Sequence, residues 1–548
     1  MKATWDSIPF YAALLAIAAF GAYLRLYQFT QQVLLDDEWH AVHQLLWKTP
    51  AQMFLTFGQA DYSIPLALFY WFEQRFFGLS ETLMRWPMMA AGLVSLVLFP
   101  LYIRRYFDKT AVLIFTALLA TSPLLVIYSR TARPYALTLL LSMMAVGCFH
   151  RFMTTEKPDW RPGILYVLCM VSSTWLHLIS LPITVAPFLT FGIPALIQGR
   201  RDQLRRMLGI GIVCLIGVSA LVLPPVFAHP EALGGKLGAG APGFQTFGDL
   251  VYFWSGTSSP VIAVTASLLA LAGANDLWRR LPLTRSLLAG LGLSLALILI
   301  SRPAWVQHTL TLARYLLPAV PLFLLAVALG TSRLIGAVRR RWERRGGVLA
   351  GAALLSGLLL ASRFSPLWHI LEYPNSNSLH SVFQFDFRQD RNLIYQFQSR
   401  FPVSPFWRKL AALPRGSVKI AASPFYFETY LWDAPRWEQI SHQRVFPGYL
   451  DGLCAKRRWG EVPRGRGFDF RNAGYLADPA DLVKRGFDLV VFQKPFSVMT
   501  DHGKIDLGED TKSCYAILLE RMPPPIYEDK WLIVFPLSAD IAGQFNAE

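Results

Sequence analysis

Charge is scarce in this chain. Asp, Glu, Lys and Arg make up 16% of 548 residues, against roughly 25% in soluble proteins. The charge that is present leans one way, with 52 Lys and Arg against 36 Asp and Glu, a formal +16. No basic, aromatic-interleaved module accompanies the excess, so nucleic acid is excluded as its reason. Cysteine is rare, five in all. No CxxC and no Cys/His spacing suits a metal. Cys148, Cys169 and Cys214 fall in apolar runs and read as packing residues. Cys454 and Cys514 fall in the C-terminal part, where an extracytoplasmic location would allow a disulfide. That part lacks a nucleotide-binding glycine fingerprint, and no internal repeat is visible. A cleavable signal is not expected either. The first apolar stretch, Ile8 to Leu24, runs into Arg25-Leu26-Tyr27-Gln28 rather than a small-residue cleavage pattern, so it reads as a retained helix.

What the chain has in quantity is apolar sequence. Hydrophobic residues reach 53% and mean hydropathy is +0.36. They fall in blocks of about 16–22 residues, close to the roughly 20 needed to cross 30 Å of hydrocarbon. The blocks predict about eleven transmembrane helices, at 8–28, 87–104, 110–128, 134–151, 163–180, 181–198, 207–228, 259–277, 283–300, 314–332 and 347–363. The segment 64–78 is apolar but short, with Glu73, Gln74 and Arg75 together inside it. Charges in the bilayer core are costly, so it is expected to lie at the interface.

The arginines support this count. With the N-terminus cytoplasmic, the inner loops collect Arg104, Arg105, Lys109, Arg151, Arg200, Arg201, Arg205, Arg206 and the run Arg339-Arg340-Arg341, while the outer loops carry few. A span at 64–78 would reverse every later loop. Two domains are therefore expected: 1–363 in the membrane, with an outer loop 29–86 bearing interfacial helices, and 364–548 outside. The second part carries short apolar runs, Val418–Ala421, Asp488–Phe492 and Trp531–Phe535, that read as strands of a mixed α/β domain.

Several polar groups gather at the outer face of this layout. Asp36-Asp37-Glu38, followed by Trp39-His40, comes just after the first span, and Asp61 lies later in the same loop. Three acids also suit a solvated helix N-terminus. Tyr128-Ser129-Arg130-Thr131-Ala132-Arg133-Pro134-Tyr135 joins the third and fourth spans. Two arginines there run against the positive-inside trend. Their planar forks suit phosphate oxygens, and snorkelling at helix ends is the plainer reading. His177 ends the fifth span and Arg314-Tyr315 opens the tenth. Ionisable residues converging at one membrane edge are functional candidates by default.

These stretches resemble the integral membrane glycosyltransferases of the GT-C fold that use polyprenyl-phosphate sugars, the protein O-mannosyltransferases and the aminoarabinose transferase of lipid A among them. The resemblance spans roughly residues 8–330. It rests, in order, on Asp37-Glu38, on Ile64-Pro65-Leu66 opening a helix that closes at Gly78, on Leu83-Met84-Arg85-Trp86-Pro87, on Ser129 to Tyr135, and on Arg314-Tyr315-Leu316-Leu317-Pro318. It implies a transferase moving a sugar from a polyprenyl-phosphate donor to an envelope lipid, glycan or protein at the periplasmic face of a bacterial inner membrane. It implies Asp37 as general base with Glu38 beside it. Arg130, Arg133 and Arg314 would hold the donor phosphate. Asp36, His40, Asp61, Tyr135, His177 and Tyr315 would bind substrate. Thr131 stands where related sequences often carry an acid, which weakens the case for a carboxylate-bound divalent metal; no metal ligand and no cofactor is assigned. A lipid-linked-sugar flippase and a non-catalytic scaffold are the readings from other classes. The flippase would favour midplane sites on broken helices in inverted repeats.

Overall fold

The computed structural model describes residues 8–342 apart from short breaks at 28, within 32–47, and around 58–62, 78–80, 156–158, 235–239 and 258. Of the C-terminal part it describes much of 403–447, 479–506 and 518–543. Contacts divide the chain into two compact units. One is Met1–Phe29, Pro50–Gly58 and Tyr62–Phe387; the other is Thr30–Thr49, Gln59–Asp61 and Arg388–Glu548.

The first unit is helical throughout its described residues. Helix α1 is Ile8–Leu26, α2 Pro50–Phe54, α3 Ile64–Phe76, α4 Glu81–Ile103, α5 Lys109–Thr121, α6 Pro123–Ser129, α7 Tyr135–Thr154 and α8 Trp160–Leu176. Then come α9 Leu181–Ile197, α10 Arg201–Ala228, α11 Pro230–Gly234, α12 Phe244–Ser255, α13 Pro260–Arg280, α14 Thr284–Ser301, α15 Thr309–Tyr315 and α16 Ala319–Trp342. Side-chain caps start two of them where the sequence offers an acid. Asp108 accepts from the Ala111 amide at 3.0 Å and Asp159 from the Arg161 amide at 3.0 Å, each satisfying a donor the helix cannot.

Among the described residues eight helices are long and apolar enough to span a membrane, or nine when α5 and α6 count as one bent span. Eleven were expected. The difference has identifiable sources. The span expected at 163–180 is the 17-residue α8, closed by a 3-10 turn at Leu178–Ser180. The one expected at 347–363 lies outside the described residues. The span expected at 110–128 is broken, with α5 and α6 meeting at 56°. Pro123 causes the break, since it has no N–H to return to the Leu119 carbonyl and its ring disfavours helix in the residue before it.

Within segment 64–78 the chain forms the 13-residue helix α3, which is not among the helices long enough to span a membrane. Its buried residues are Ile64, Leu66, Ala67, Tyr70 and Glu73, while Phe69, Phe72 and Phe76 are exposed. At the centre of the unit α16 is 61% buried along its apolar window, whereas α10 and α13 are 17% buried. The outer helices therefore turn apolar residues such as Leu215, Leu271 and Phe227 outward. That inversion is stable only against hydrocarbon.

The described part of the second unit holds α17 (Phe406–Leu410), β1 (Lys419–Ser423), α18 (Ala434–Ser441), β2 (Arg444–Pro447), α19 (Pro479–Lys484), β3 (Leu489–Gln493), β4 (Ser497–Thr500), β5 (Gly503–Asp506), β6 (Tyr527–Glu528) and β7 (Leu532–Pro536). Five strands make one sheet in the order β2-β1-β3-β7-β6, and β4 pairs with β5 as a separate hairpin. The first three run parallel and the last two antiparallel. The three expected strands are β1, β3 and β7, each within a residue or two of its apolar run. Strands β3 and β7 are buried along their whole length, as a sheet covered on both faces demands. Trp407 and Trp437 stack in the same core with ring centres 4.8 Å apart. Cys148, Cys169 and Cys214 are free, the last two within an aromatic-rich cluster around Phe149 and Tyr166. Cys454 and Cys514 lie outside the described residues.

Candidate functional site

The polar turn Ser129–Pro134 connects α6 to α7 and is held from below by its own chain. The Thr131 hydroxyl donates to the Ile127 carbonyl at 2.8 Å, and the Arg130 amide to the same carbonyl at 2.8 Å. From α3, the Tyr70 hydroxyl donates to the Ala132 carbonyl at 3.4 Å. Arg130, Thr131, Ala132 and Arg133 are all buried, so this is no mobile surface loop.

Tyr135, the first residue of α7, is the hub of an aromatic and cationic cluster. Its ring lies 5.0 Å from that of Tyr128 and 5.4 Å from the imidazole of His177. Two guanidiniums sit over it, Arg133 at 5.8 Å and Arg314 at 5.5 Å. Tyr315 closes the group, 5.5 Å from His177 and 5.7 Å from the Arg314 guanidinium. Aromatic faces stabilise cations and leave a guanidinium's in-plane N–H fork for oxygen acceptors. Arg133, Tyr135, His177, Arg314 and Tyr315, five candidates named from three separate stretches of sequence, thus stand together.

The turn bearing His177 is anchored too. The Ser63 hydroxyl, just before α3, donates to the Leu176 carbonyl at 2.9 Å. Nearby polar atoms Thr174 Oγ1, Trp175 Nε1 and Ser180 Oγ are buried without a hydrogen-bond partner among the described residues. One face of α3 also carries Glu73, whose Oε2 is buried without a hydrogen-bond partner among the described residues. Burial pushes the Glu73 carboxyl up to about 7.

Arg130 is placed differently from the other two arginines. Its Nη1 donates to the carbonyls of Leu24 at 3.4 Å, Arg25 at 3.1 Å and Tyr27 at 2.7 Å. Burial, and after it the charge of Arg85, pull its pKa down to about 9, which leaves it protonated at neutral pH. Arg85 is fully buried on α4.

Among the acids, Glu38 is buried; Asp36, Asp37, His40 and Asp61 lie outside the described residues. The stretch Thr30–Thr49 groups with the C-terminal segment, and there Arg415 donates to the Thr30 carbonyl. Sequence reasoning had no signal for that grouping. It also passed over Arg25, which looked like the end of the first span, and Tyr128, which differs from Tyr135 only in its tertiary neighbours. The polar run Thr174-Trp175-Leu176-His177 at the end of an apolar helix was the signal for the donors around His177. Among the described residues no three His, Cys, Asp or Glu side chains gather as a metal site.

Residues 63–226 match a family model described as dolichyl-phosphate-mannose-protein mannosyltransferase. That segment runs from Ser63, at the start of α3, into the end of α10, and so contains the arginine turn, Tyr135 and His177. No curated protein matches the chain in sequence. Among solved structures, ArnT from Cupriavidus metallidurans in the apo state superposes with a TM-score of 0.53 at 12% identity, over 98% of this chain and 99% of that one. The same protein bound to undecaprenyl phosphate gives the same TM-score, identity and coverage. At this identity the likeness is one of fold, and it extends over both units of the chain. The chain thus shares the fold of ArnT, and its residues 63–226 match the mannosyltransferase family model.

Proposed function

We propose that this chain is an integral membrane glycosyltransferase that moves a sugar from a polyprenyl-phosphate donor to an envelope acceptor. The observation that carries the reading is the convergence of Arg133 and Arg314 on Tyr135, beside His177 and Tyr315, in a fold shared with an undecaprenyl-phosphate-bound protein. A lipid phosphate needs fixed cationic forks at the edge of an apolar bundle, and these two arginines supply them. The proposed orientation puts the N-terminus in the cytoplasm and the site and C-terminal domain on the periplasmic side of a bacterial inner membrane, in line with the arginine-rich loops.

The chemistry divides into two tasks. The phosphate is already a competent leaving group, and its departing charge is stabilised by preorganised cations, here Arg133 and Arg314. The acceptor hydroxyl must lose its proton. Asp37 is the proposed base, with Glu38 adjacent, and general-base catalysis contributes typically about 10²–10⁴ in rate. The hydroxyl oxygen attacks the anomeric carbon, the bond from that carbon to the phosphate oxygen breaks, the electron pair leaves with the lipid phosphate, and configuration inverts. Asp36, His40, Asp61 and the His177–Tyr315 pair are the proposed contacts to sugar and acceptor.

The deciding experiment is transfer from a radiolabelled panel of polyprenyl-phosphate sugars to cell-envelope acceptors, with wild type against Asp37→Asn. Transfer by wild type that is lost in the variant supports the reading and names the donor. Equal transfer by both removes Asp37 as base. Absence of transfer by a folded wild type, with lipid-linked sugar crossing liposome membranes instead, would establish a flippase.

A further inference from the structure

We infer that Arg25 and Arg130 form a reciprocal clasp that positions the turn carrying Arg133 and Tyr135. Arg25 is thereby a positioning residue for the site, and the assignment rests on the transferase reading above. Two helix ends create the need for it. Helix α5 stops at Thr121 because Pro123 follows, and the carbonyl that Pro123 cannot serve is that of Leu119, four residues back. Its neighbour Ala120 is also among the last four carbonyls, which no intrahelical N–H reaches. Both would be orphaned inside an apolar bundle, where an unpaired carbonyl is costly.

The Arg25 guanidinium fills that breach. Its Nη2 donates to the Leu119 carbonyl at 3.1 Å, and its Nη1 to the Ala120 carbonyl at 3.1 Å and to the Gly21 carbonyl on its own helix at 2.9 Å. Its Nε donates to the Ser129 hydroxyl at 3.3 Å, and that hydroxyl donates onward to the Leu125 carbonyl at 2.6 Å. One buried cation therefore ties α1 to both halves of the broken span. Arg130 returns the contact. Its Nη1 donates to the carbonyls of Leu24 and Arg25, in the last turn of α1, and to that of Tyr27 just beyond it. Arg25, on α1, thus closes the end of α5, and Arg130, at the end of α6, closes the end of α1.

The surroundings leave little slack. A Cβ on Gly92 of α4 would lie 2.1 Å from the Ser129 oxygen, so that helix presses the Ser129 side chain towards Arg25. Ser129 and Arg130 lead directly into Arg133 and Tyr135, so any drift at the breach moves the phosphate-binding arginine and its ring. A positional error of about 1 Å far from the reacting bond can lower a rate on the order of 10²-fold.

The test uses the full-length chain in detergent micelles, as wild type, Arg25→Lys, Arg25→Met and Ser129→Ala, read by amide hydrogen exchange and by donor kinetics. In Arg25→Met, exchange is expected to rise at least roughly tenfold over Leu119–Arg133 and over Leu24–Tyr27 while α13 and α16 stay unchanged. The value of kcat/KM for the polyprenyl-phosphate sugar should fall roughly a hundredfold. Arg25→Lys, which keeps the charge but loses the fork, should recover part of both. Should Arg25→Met fail to fold, Ser129→Ala removes a single bond of the clasp and is expected to show the same localised rise at roughly threefold. Exchange unchanged in both segments, or raised equally in α13 and α16, overturns the clasp. An inactive wild type overturns the transferase reading alone, because the exchange pattern still decides the clasp.

Discussion

Arg133 and Arg314 do one job on the proposed mechanism, and a lysine cannot do it equally well. Lysine presents a compact point charge, whereas arginine offers parallel N–H donors and lies flat on an aromatic ring. Arg133→Lys and Arg314→Lys should each raise the donor KM roughly tenfold, equivalent to about 1.4 kcal/mol, with melting temperature unchanged. Steady-state kinetics with a single donor checks this. Tyr135→Phe keeps the ring that both guanidiniums face and should retain most activity. Tyr135→Leu removes the ring's quadrupole and should cost about 0.5–2 kcal/mol of donor affinity.

Glu73 makes stability depend on pH. Its carboxyl titrates at about 7 when folded, against 4.5 ordinarily. The folded state therefore holds that proton more tightly than the unfolded chain does. Stability contributed by the protonated form is complete below about pH 4.5 and is lost as pH rises towards 7. The melting temperature of wild type should fall between about pH 5 and pH 8 by more than that of Glu73→Gln, the difference corresponding to on the order of 1–3 kcal/mol. Parallel slopes for the two proteins would show that Glu73 is ionised without penalty.

At the scale of elements, the packing of α13 on α16 depends on two glycines, each of which faces the backbone of the other helix. A Cβ on Gly273 would meet the Ala326 carbonyl at 2.0 Å, and one on Gly330 the Leu269 carbonyl at 2.0 Å. Small residues at helix crossings allow this approach in membranes, where lipid tails compete with side chains for apolar contact. Gly330→Ala and Gly273→Ala should each destabilise the protein by about 1–3 kcal/mol, the usual cost of overpacking. Thermal unfolding in micelles is the measurement, with Gly336→Ala, which meets nothing within 4 Å, as the control. The bent α5–α6 pair belongs to the same scale. Sequence hydropathy averages over Pro123 and reports one span; the missing N–H at that position produces two helices and the breach that Arg25 fills.

At the scale of the whole molecule, the proposed orientation fixes the side on which each loop lies. Gln198, between α9 and α10, should be cytoplasmic, and Ala241, between α11 and α12, should be periplasmic; both are exposed. In a chain whose native cysteines are replaced, a membrane-impermeant maleimide added to intact spheroplasts should label Ala241→Cys and spare Gln198→Cys. The reverse pattern would invert the topology and remove the reading of an outer site.

The membrane class, the placement of most helices, the three strands and the candidates Arg133, Tyr135, His177, Arg314 and Tyr315, which the structure brings together, could all be read from the chain itself. Each depends on a local or periodic quantity: the length of an apolar run, a charge that hydrocarbon rejects, alternation, or a polar residue standing where an apolar one is expected. Only the tertiary structure decided that Tyr135 rather than Tyr128 is the hub, that Arg130 serves the carbonyls of α1, and that Arg25 serves those of α5. It also decided that the stretch after the first helix groups with the C-terminal segment. These features join residues about a hundred positions or more apart, or set apart two residues of the same kind. An arginine on a phosphate and an arginine on a helix end look identical in sequence, and the orphaned carbonyl that distinguishes them exists only once the helices have packed.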